Sequence, residues 1–217
     1  MNCPEGAGTA TAPTAPATTG ATTILVVRHT EVHNPKRVLY GRLPEYSLSP
    51  YGEQQAERTA RFLANRPIAA IYSSPLLRAG QTADRIAAHH PAAGRYVTDL
   101  LNEIGTSWEG TPFAEFTAGF TCYEHRRAPE DETIDDIRAR MLAFIEQVRL
   151  EHPGETVVGV SHGDPITILR LALRDRPLTP AALRGADYAG LGSVTELVYT
   201  AAADLPQITI PAVPWTP

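Results

Sequence analysis

Short apolar runs separated by stretches of helical period give this chain its outline. Ile24-Leu25-Val26-Val27, Ile68 to Tyr72, Thr156 to Val160 and Ser193 to Tyr199 are rich in aliphatic and β-branched residues. Runs of this length between turn residues read as strands, and continuous apolar character marks strands covered on both faces. Shorter extended segments are expected near Tyr96-Val97-Thr98 and from Gln207 to Ile210. Two of the strands end in a histidine, in Arg28-His29-Thr30 and Ser161-His162-Gly163. In an open parallel sheet the carboxyl ends of the strands form the crevice where ligands bind, so the two imidazoles are expected to share one pocket.

Between the strands the spacing becomes helical. Ser49 has the chemistry of an N-cap and Pro50 suits the first helical position, after which Ala56, Ala60 and Leu63 form a stripe that Arg66-Pro67 stops. Ser73-Ser74-Pro75 opens a second helix, with Leu77, Ala83, Ile86 and Ala87 on its inner face and Pro91 marking its end. Thr133-Ile134-Asp135-Asp136 is a capping-box start with aspartate in place of glutamate, and Ile137, Met141, Phe144, Ile145 and Val148 follow on one face. A further helix is predicted from about Pro165 to Leu173. Strands alternating with helices predict an α/β fold, a three-layer sandwich with a mostly parallel central sheet and helices on both faces. From Leu101 to Glu132 the period is lost, and Trp108, Phe113, Phe116, Phe120 and Tyr123 stand among charges. The part at about 104–131 reads as a lid.

Composition narrows the picture. A chain of 217 residues, 43% hydrophobic and 20% charged, fits one domain, placed here at 23–203. Residues 1–22, rich in Ala, Thr and Pro, read as a disordered tail without the features of a signal peptide, and 204–217 as a Pro-rich tail that wraps the surface or hangs free. The formal charge of −5 argues against a broad footprint for nucleic acid or for an anionic membrane surface, so any anion site must be local. No apolar stretch approaches the roughly 18 residues of a membrane-spanning helix. Cys3 and Cys122 supply neither a disulfide framework nor a zinc cluster, and a cytoplasmic location is the expectation. No heptad or exposed apolar stripe decides between a monomer and a homodimer.

Further polar strings join the two strand ends. Asn34, the segment Gly41 to Gly52, Ser73-Ser74-Pro75-Leu76-Leu77-Arg78-Ala79-Gly80-Gln81-Thr82-Ala83, Asn102-Glu103 and Trp108-Glu109-Gly110 follow in order between them. Together with Arg28-His29 and Ser161-His162-Gly163, they make the chain, over roughly residues 23 to 200, resemble the histidine phosphatase superfamily, which includes the cofactor-dependent phosphoglycerate mutases. The resemblance implies a phosphoglycerate mutase-like fold. It also implies that His29 accepts the phosphoryl group, that Arg28, Arg78 and His162 surround the phosphate with Asn34 and the Gly163 amide as additional contacts, and that Glu103 gives a proton to the leaving oxygen. The family pattern has Gly after the Arg-His pair; Thr30 stands there instead, and its hydroxyl is a candidate phosphate donor.

Phosphoryl transfer explains why these residue types belong together. Charge spreads over the equatorial oxygens of a loose transition state, where fixed donors stabilise it. Arginine stays protonated and can hold two phosphate oxygens at once, so Arg28 and Arg78 can take the part that magnesium plays elsewhere, with no metal and no cofactor required. The nucleophile must be a neutral imidazole, which nearby arginines favour. An alcohol leaves poorly as an alkoxide, so an acid must assist, and Glu103 is the candidate with Glu109 its nearest rival. The expectation is a metal-independent phosphomonoester hydrolase acting through a phosphohistidine on a small phosphorylated metabolite. A mutase would need a second anion site and a water-excluding cover. A noncatalytic phospho-ligand-binding member would have lost a reactive group.

Overall fold

The computed structural model describes residues 20–185, 187–200 and 205–213. In chain order the elements are β1 (Thr22–Arg28), α1 (Pro50–Leu63), β2 (Ile68–Ser73), α2 (Leu77–Ala88), β3 (Gly94–Val97), α3 (Ile134–Glu151), β4 (Thr156–Ser161), α4 (Gly163–Leu173), α5 (Pro180–Leu183), β5 (Val194–Tyr199) and β6 (Gln207–Thr209). The strands form one sheet in the order β3-β2-β4-β1-β5-β6. β1, β4, β2 and β3 run parallel, and β5 pairs antiparallel with both β1 and β6. The sheet is therefore mostly parallel, with one reversed strand.

Alternate residues of the strands feed two separate cores. Ile24 and Val26 of β1 pack with Val157, Tyr72 and Leu197 under α3 and α4, where Ile137, Met141, Phe144, Ile166 and Leu169 are buried. Leu25 and Val27 face the other way, packing with Ile71, Val158 and Val194 under Ala60 and Leu63 of α1 and Ala79, Ala83 and Ile86 of α2. A strand with apolar side chains on both sides must be covered on both sides, which is why the runs lack polar alternation. The result is the three-layer sandwich.

Local chemistry sets the helix starts. The Ser49 hydroxyl accepts from the Gly52 amide and Pro50 occupies the first position of α1. Thr133 and Asp136 form a reciprocal capping box at the start of α3, an arrangement worth about 1 kcal/mol. Two boundaries differ from expectation. α2 begins at Leu77, whose side chain is 44% exposed, while Leu76 ahead of it is buried, because the residue before the helix, not its first, reaches the core. α4 begins two residues before Pro165, directly at the strand end.

The chain ends also differ from expectation. Thr22 already lies in β1, and the rest of the N-terminal tail through residue 19 falls outside the described residues. Beyond position 203, where the chain was expected to leave the domain, Ile208 pairs with Leu197 and Val213 is buried in the α1–α2 core. Among the described residues, no helix is long and apolar enough to cross a membrane.

The irregular segment between Asn102 and Thr133 contains one 3-10 turn, Phe113–Glu115. Two acidic anchors hold it. Asp131, 4% exposed, accepts from the Ser107 amide and hydroxyl at 2.6 and 2.9 Å and from the Arg127 amide at 2.8 Å. Glu132 accepts from Arg42 at 2.8 Å, Arg140 at 2.9 Å and the Gly105 amide at 2.9 Å. Between Ser107 and Asp131 the aromatics pack on one another: Phe116 and Phe120 stack at 4.3 Å, Trp108 meets Phe120 edge-on, and the Arg127 guanidinium lies over the Trp108 ring.

Candidate active site

Three neighbouring strands, β2, β4 and β1, end at the same edge of the sheet. Each delivers a polar residue just past its last pair: Ser74, His162 and His29. The His29 amide bonds to the Ser161 carbonyl at 2.9 Å and the Ser74 amide to the Val160 carbonyl at 3.0 Å, so ladder bonds fix these two, while the His162 carbonyl accepts from the Ile166 amide at 3.2 Å as α4 begins. The ring centroids of His29 and His162 are 5.0 Å apart. The two imidazoles do come together, both buried.

His29 is buried, and its Nδ1 lies 2.7 Å from the Thr30 carbonyl oxygen. A carbonyl can only accept, so Nδ1 carries the ring hydrogen and Nε2 keeps its lone pair. Arg78 donates to that lone pair from Nε at 3.3 Å. Burial first, then the charges of Arg78 and Arg28, hold the His29 pKa well below its ordinary value. The ring is neutral at pH 7.

Arg78 is fully buried, at 0% exposure. It donates to the Gly41 carbonyl at 2.6 Å and lies over the Tyr40 ring, while its NH1 has no partner among the described residues. A guanidinium is expensive to bury unpaired. Arg28 donates to the Ala189 carbonyl at 2.6 Å and lies over Tyr188, and its Nε is also buried without a partner among the described residues. His162 approaches the Ser74 hydroxyl with Nε2 at 2.9 Å, and its Nδ1 is the third such atom. Burial, then Arg78, pushes the His162 pKa well down. Ser74 can give its single hydrogen to Asn102 Oδ1, at 3.2 Å, or to His162; when His162 receives it, the ring hydrogen moves to Nδ1.

Glu103 lies with Oε2 4.0 Å from His162 Nδ1, its side chain 15% exposed. Burial first, then the charge of Asp164, pushes its pKa up to about 7, against the opposing pull of Arg78 and Arg28. Its backbone carbonyl is held by Arg42 at 2.8 Å and by Arg140 at 3.3 Å. The rival Glu109 is engaged elsewhere, accepting from the Arg42 amide at 2.5 Å. Ligating atoms of His29, Glu103 and His162 lie within 4.8 Å of one another, a spacing that a small cation could bridge. Two guanidinium groups on the same pocket oppose a cation there and favour an anion.

The structure brings Arg28, His29, Arg78, Glu103 and His162 together. Gly163 opens α4 beside them, so close to the Tyr188 hydroxyl and the Arg28 guanidinium that a Cβ would lie 2.3 Å from the first. First-turn amides of a helix lack internal partners and carry positive partial charge. Two expectations change. Asn34 uses its carboxamide on the Val38 backbone, donating at 2.8 Å and accepting at 3.2 Å, which makes it a turn former. The Thr30 hydroxyl donates to the Gly52 carbonyl at 2.8 Å and so ties the loop to α1 rather than pointing at the pocket. Sequence reasoning missed Ser74, Arg42, Arg140, Asp164 and Tyr188. Of these, Ser74 and Arg42 lay inside quoted motifs.

Residues 24–204 match the family model of the histidine phosphatase superfamily, branch 1. The chain belongs to that superfamily. An uncharacterised protein of Mycobacterium tuberculosis is 40% identical over 185 residues, covering 82% of this chain and 90% of its own. The structure of YhfR from Bacillus stearothermophilus superposes with a TM-score of 0.76 at 29% identity, covering 87% of this chain and 96% of that one. A mycobacterial glucosyl-3-phosphoglycerate phosphatase superposes with a TM-score of 0.71 at 25% identity, over 88% and 97% of the two chains. The fold is therefore shared along nearly the whole length of both solved structures.

Proposed function

We propose that the chain is a metal-independent phosphomonoester hydrolase working through a phosphohistidine at His29. One observation carries the reading: Arg28 Nε, Arg78 NH1 and His162 Nδ1 are buried polar atoms without partners among the described residues, gathered about a neutral imidazole whose Nε2 lone pair faces an arginine. A phosphate group offers acceptors to all three, and the tautomer of His162 with hydrogen on Nδ1 completes the cradle.

In the first half-reaction the Nε2–P bond forms as the P–O ester bond breaks. Glu103, whose pKa near 7 keeps about half of it protonated at neutral pH, gives its proton to the departing alkoxide. The Thr30 carbonyl holds the Nδ1 hydrogen and stabilises the positive ring. In the second half-reaction the Glu103 carboxylate takes a proton from water, the hydroxide oxygen bonds to phosphorus, and the P–N bond returns its electron pair to Nε2. Arg28 and Arg78 neutralise the equatorial oxygens throughout, and the 104–131 segment serves as a lid. In this reading the substrate is a small phosphorylated metabolite and the protein acts in the cytoplasm.

Turnover of p-nitrophenyl phosphate with EDTA present tests the reading. The parent chain hydrolyses it at an undiminished rate and His29→Ala does not. Loss of activity on chelation, or unchanged turnover by the variant, would contradict it.

A further inference from the structure

Beside the phosphate cradle lies a cavity of about 560 Å³, within the range of small-molecule sites. Its walls are largely aromatic and aliphatic: Phe113, Phe116, Phe120, Tyr123, Leu183 and Tyr188. The cavity and the cradle share a wall. Asp164 follows directly on His162-Gly163, and its carboxylate accepts from the Tyr123 hydroxyl at 2.7 Å and from the Tyr188 hydroxyl at 2.9 Å. Tyr188 in turn carries the Arg28 guanidinium over its ring, 5.2 Å from the centroid. Burial, then the charge of Asp164, raises the pKa of Tyr123 and of Tyr188, so both hydroxyls remain donors. The carboxylate thus has a fixed place between cradle and cavity. Arg184, the positive charge among the lining residues, stands exposed at the rim.

We infer that this cavity receives the leaving group, and that Asp164 selects its class: phosphate monoesters of bulky apolar or aromatic alcohols, with esters carrying a second anionic group rejected. The inference rests on the proposed hydrolase reading and deepens it. A second carboxylate or phosphate entering the cavity would meet an anion held by two tyrosines. An aryl or alkyl body loses water against Phe116 and Phe120 instead. The same charge disfavours mutase chemistry, which needs a second anion to be held.

Titration calorimetry on the His29→Ala chain, which cannot form the covalent intermediate, measures the selection apart from turnover. The probes are 1-naphthyl phosphate and 3-phosphoglycerate, each with and without the further change Asp164→Asn. The naphthyl ester is expected to bind more tightly, and Asp164→Asn to shift the affinity ratio toward 3-phosphoglycerate by about tenfold. The change keeps an oxygen acceptor for one tyrosine. Tighter binding of 3-phosphoglycerate in the His29→Ala chain, a ratio unmoved by Asp164→Asn, or no binding of either probe would overturn the inference. Selective binding by His29→Ala together with no turnover by the parent chain would leave the subsite standing and count against the hydrolase reading.

Discussion

Replacing Glu103 by glutamine preserves the acceptor that the Ile104 amide uses at 2.9 Å and removes the ability to donate a proton. Because burial and Asp164 raise the Glu103 pKa to about 7, the protonated fraction falls from nearly all at about pH 5.5 to a few per cent at about pH 8.5. For an alkyl phosphate, whose leaving group is strongly basic, kcat/KM of the parent should therefore fall by roughly 30-fold across that interval. At the acid end of the range, Glu103→Gln should cost about 10²- to 10⁴-fold. The alkaline limb should vanish, while any limb due to ionisation of the substrate persists in both proteins. A p-nitrophenyl ester needs little help to depart and should lose far less. Steady-state kinetics on the two esters across pH decide the matter. Equal losses on both, or an alkaline limb retained by the variant, would refute the role of Glu103 as acid.

Two further outcomes follow from the buried charges. His29 and His162 have folded pKa values below the unfolded value near 6.5, so their stabilising effect is complete above that pH and is lost as pH falls. Glu103 works in the opposite sense: its raised value contributes stability below the unfolded carboxylate range that is lost as pH rises through about 7. Between about pH 5 and 6.5 the protons taken up by the unfolded imidazoles of His29, His162 and His90 outweigh the one on Glu103, so stability should fall with acidification. Glu103→Gln should steepen that fall in urea unfolding, and equal slopes would contradict the assignment. Arg78→Lys keeps a charge but loses the fork that reaches Gly41 and His29; kcat/KM for p-nitrophenyl phosphate should drop by about 10²-fold or more with the fold retained by circular dichroism. A drop of less than about threefold would contradict the cradle.

The strand runs and helix caps were legible because each is a short-range signal. Ser49-Pro50 and Thr133-Asp136 act within one helical turn, and the β1 and β4 runs announce burial on both faces by their lack of polar alternation. The cluster itself was legible only through strings tied to strand ends. Pairings across long separations were not. Glu132 meets Arg42 across ninety positions, and Asp164 meets Tyr123 and Tyr188 from both sides along the chain. Nothing local distinguishes such residues from solvated charges. Asn34 and Thr30 show the converse: residues placed in a phosphate motif whose polar groups the backbone engages first. The extended stretch around Ile208 was legible, but not its pairing with β5, and the Pro-rich composition conceals the return of Val213 to the core.

Rapid-quench mixing of the chain with a ³²P-labelled monoester tests the central claim most directly. A single turnover should place acid-labile, base-stable label on the peptide that contains His29, with none on His29→Ala. Label on another residue, or product release with no label ever trapped on that ring, would contradict the account.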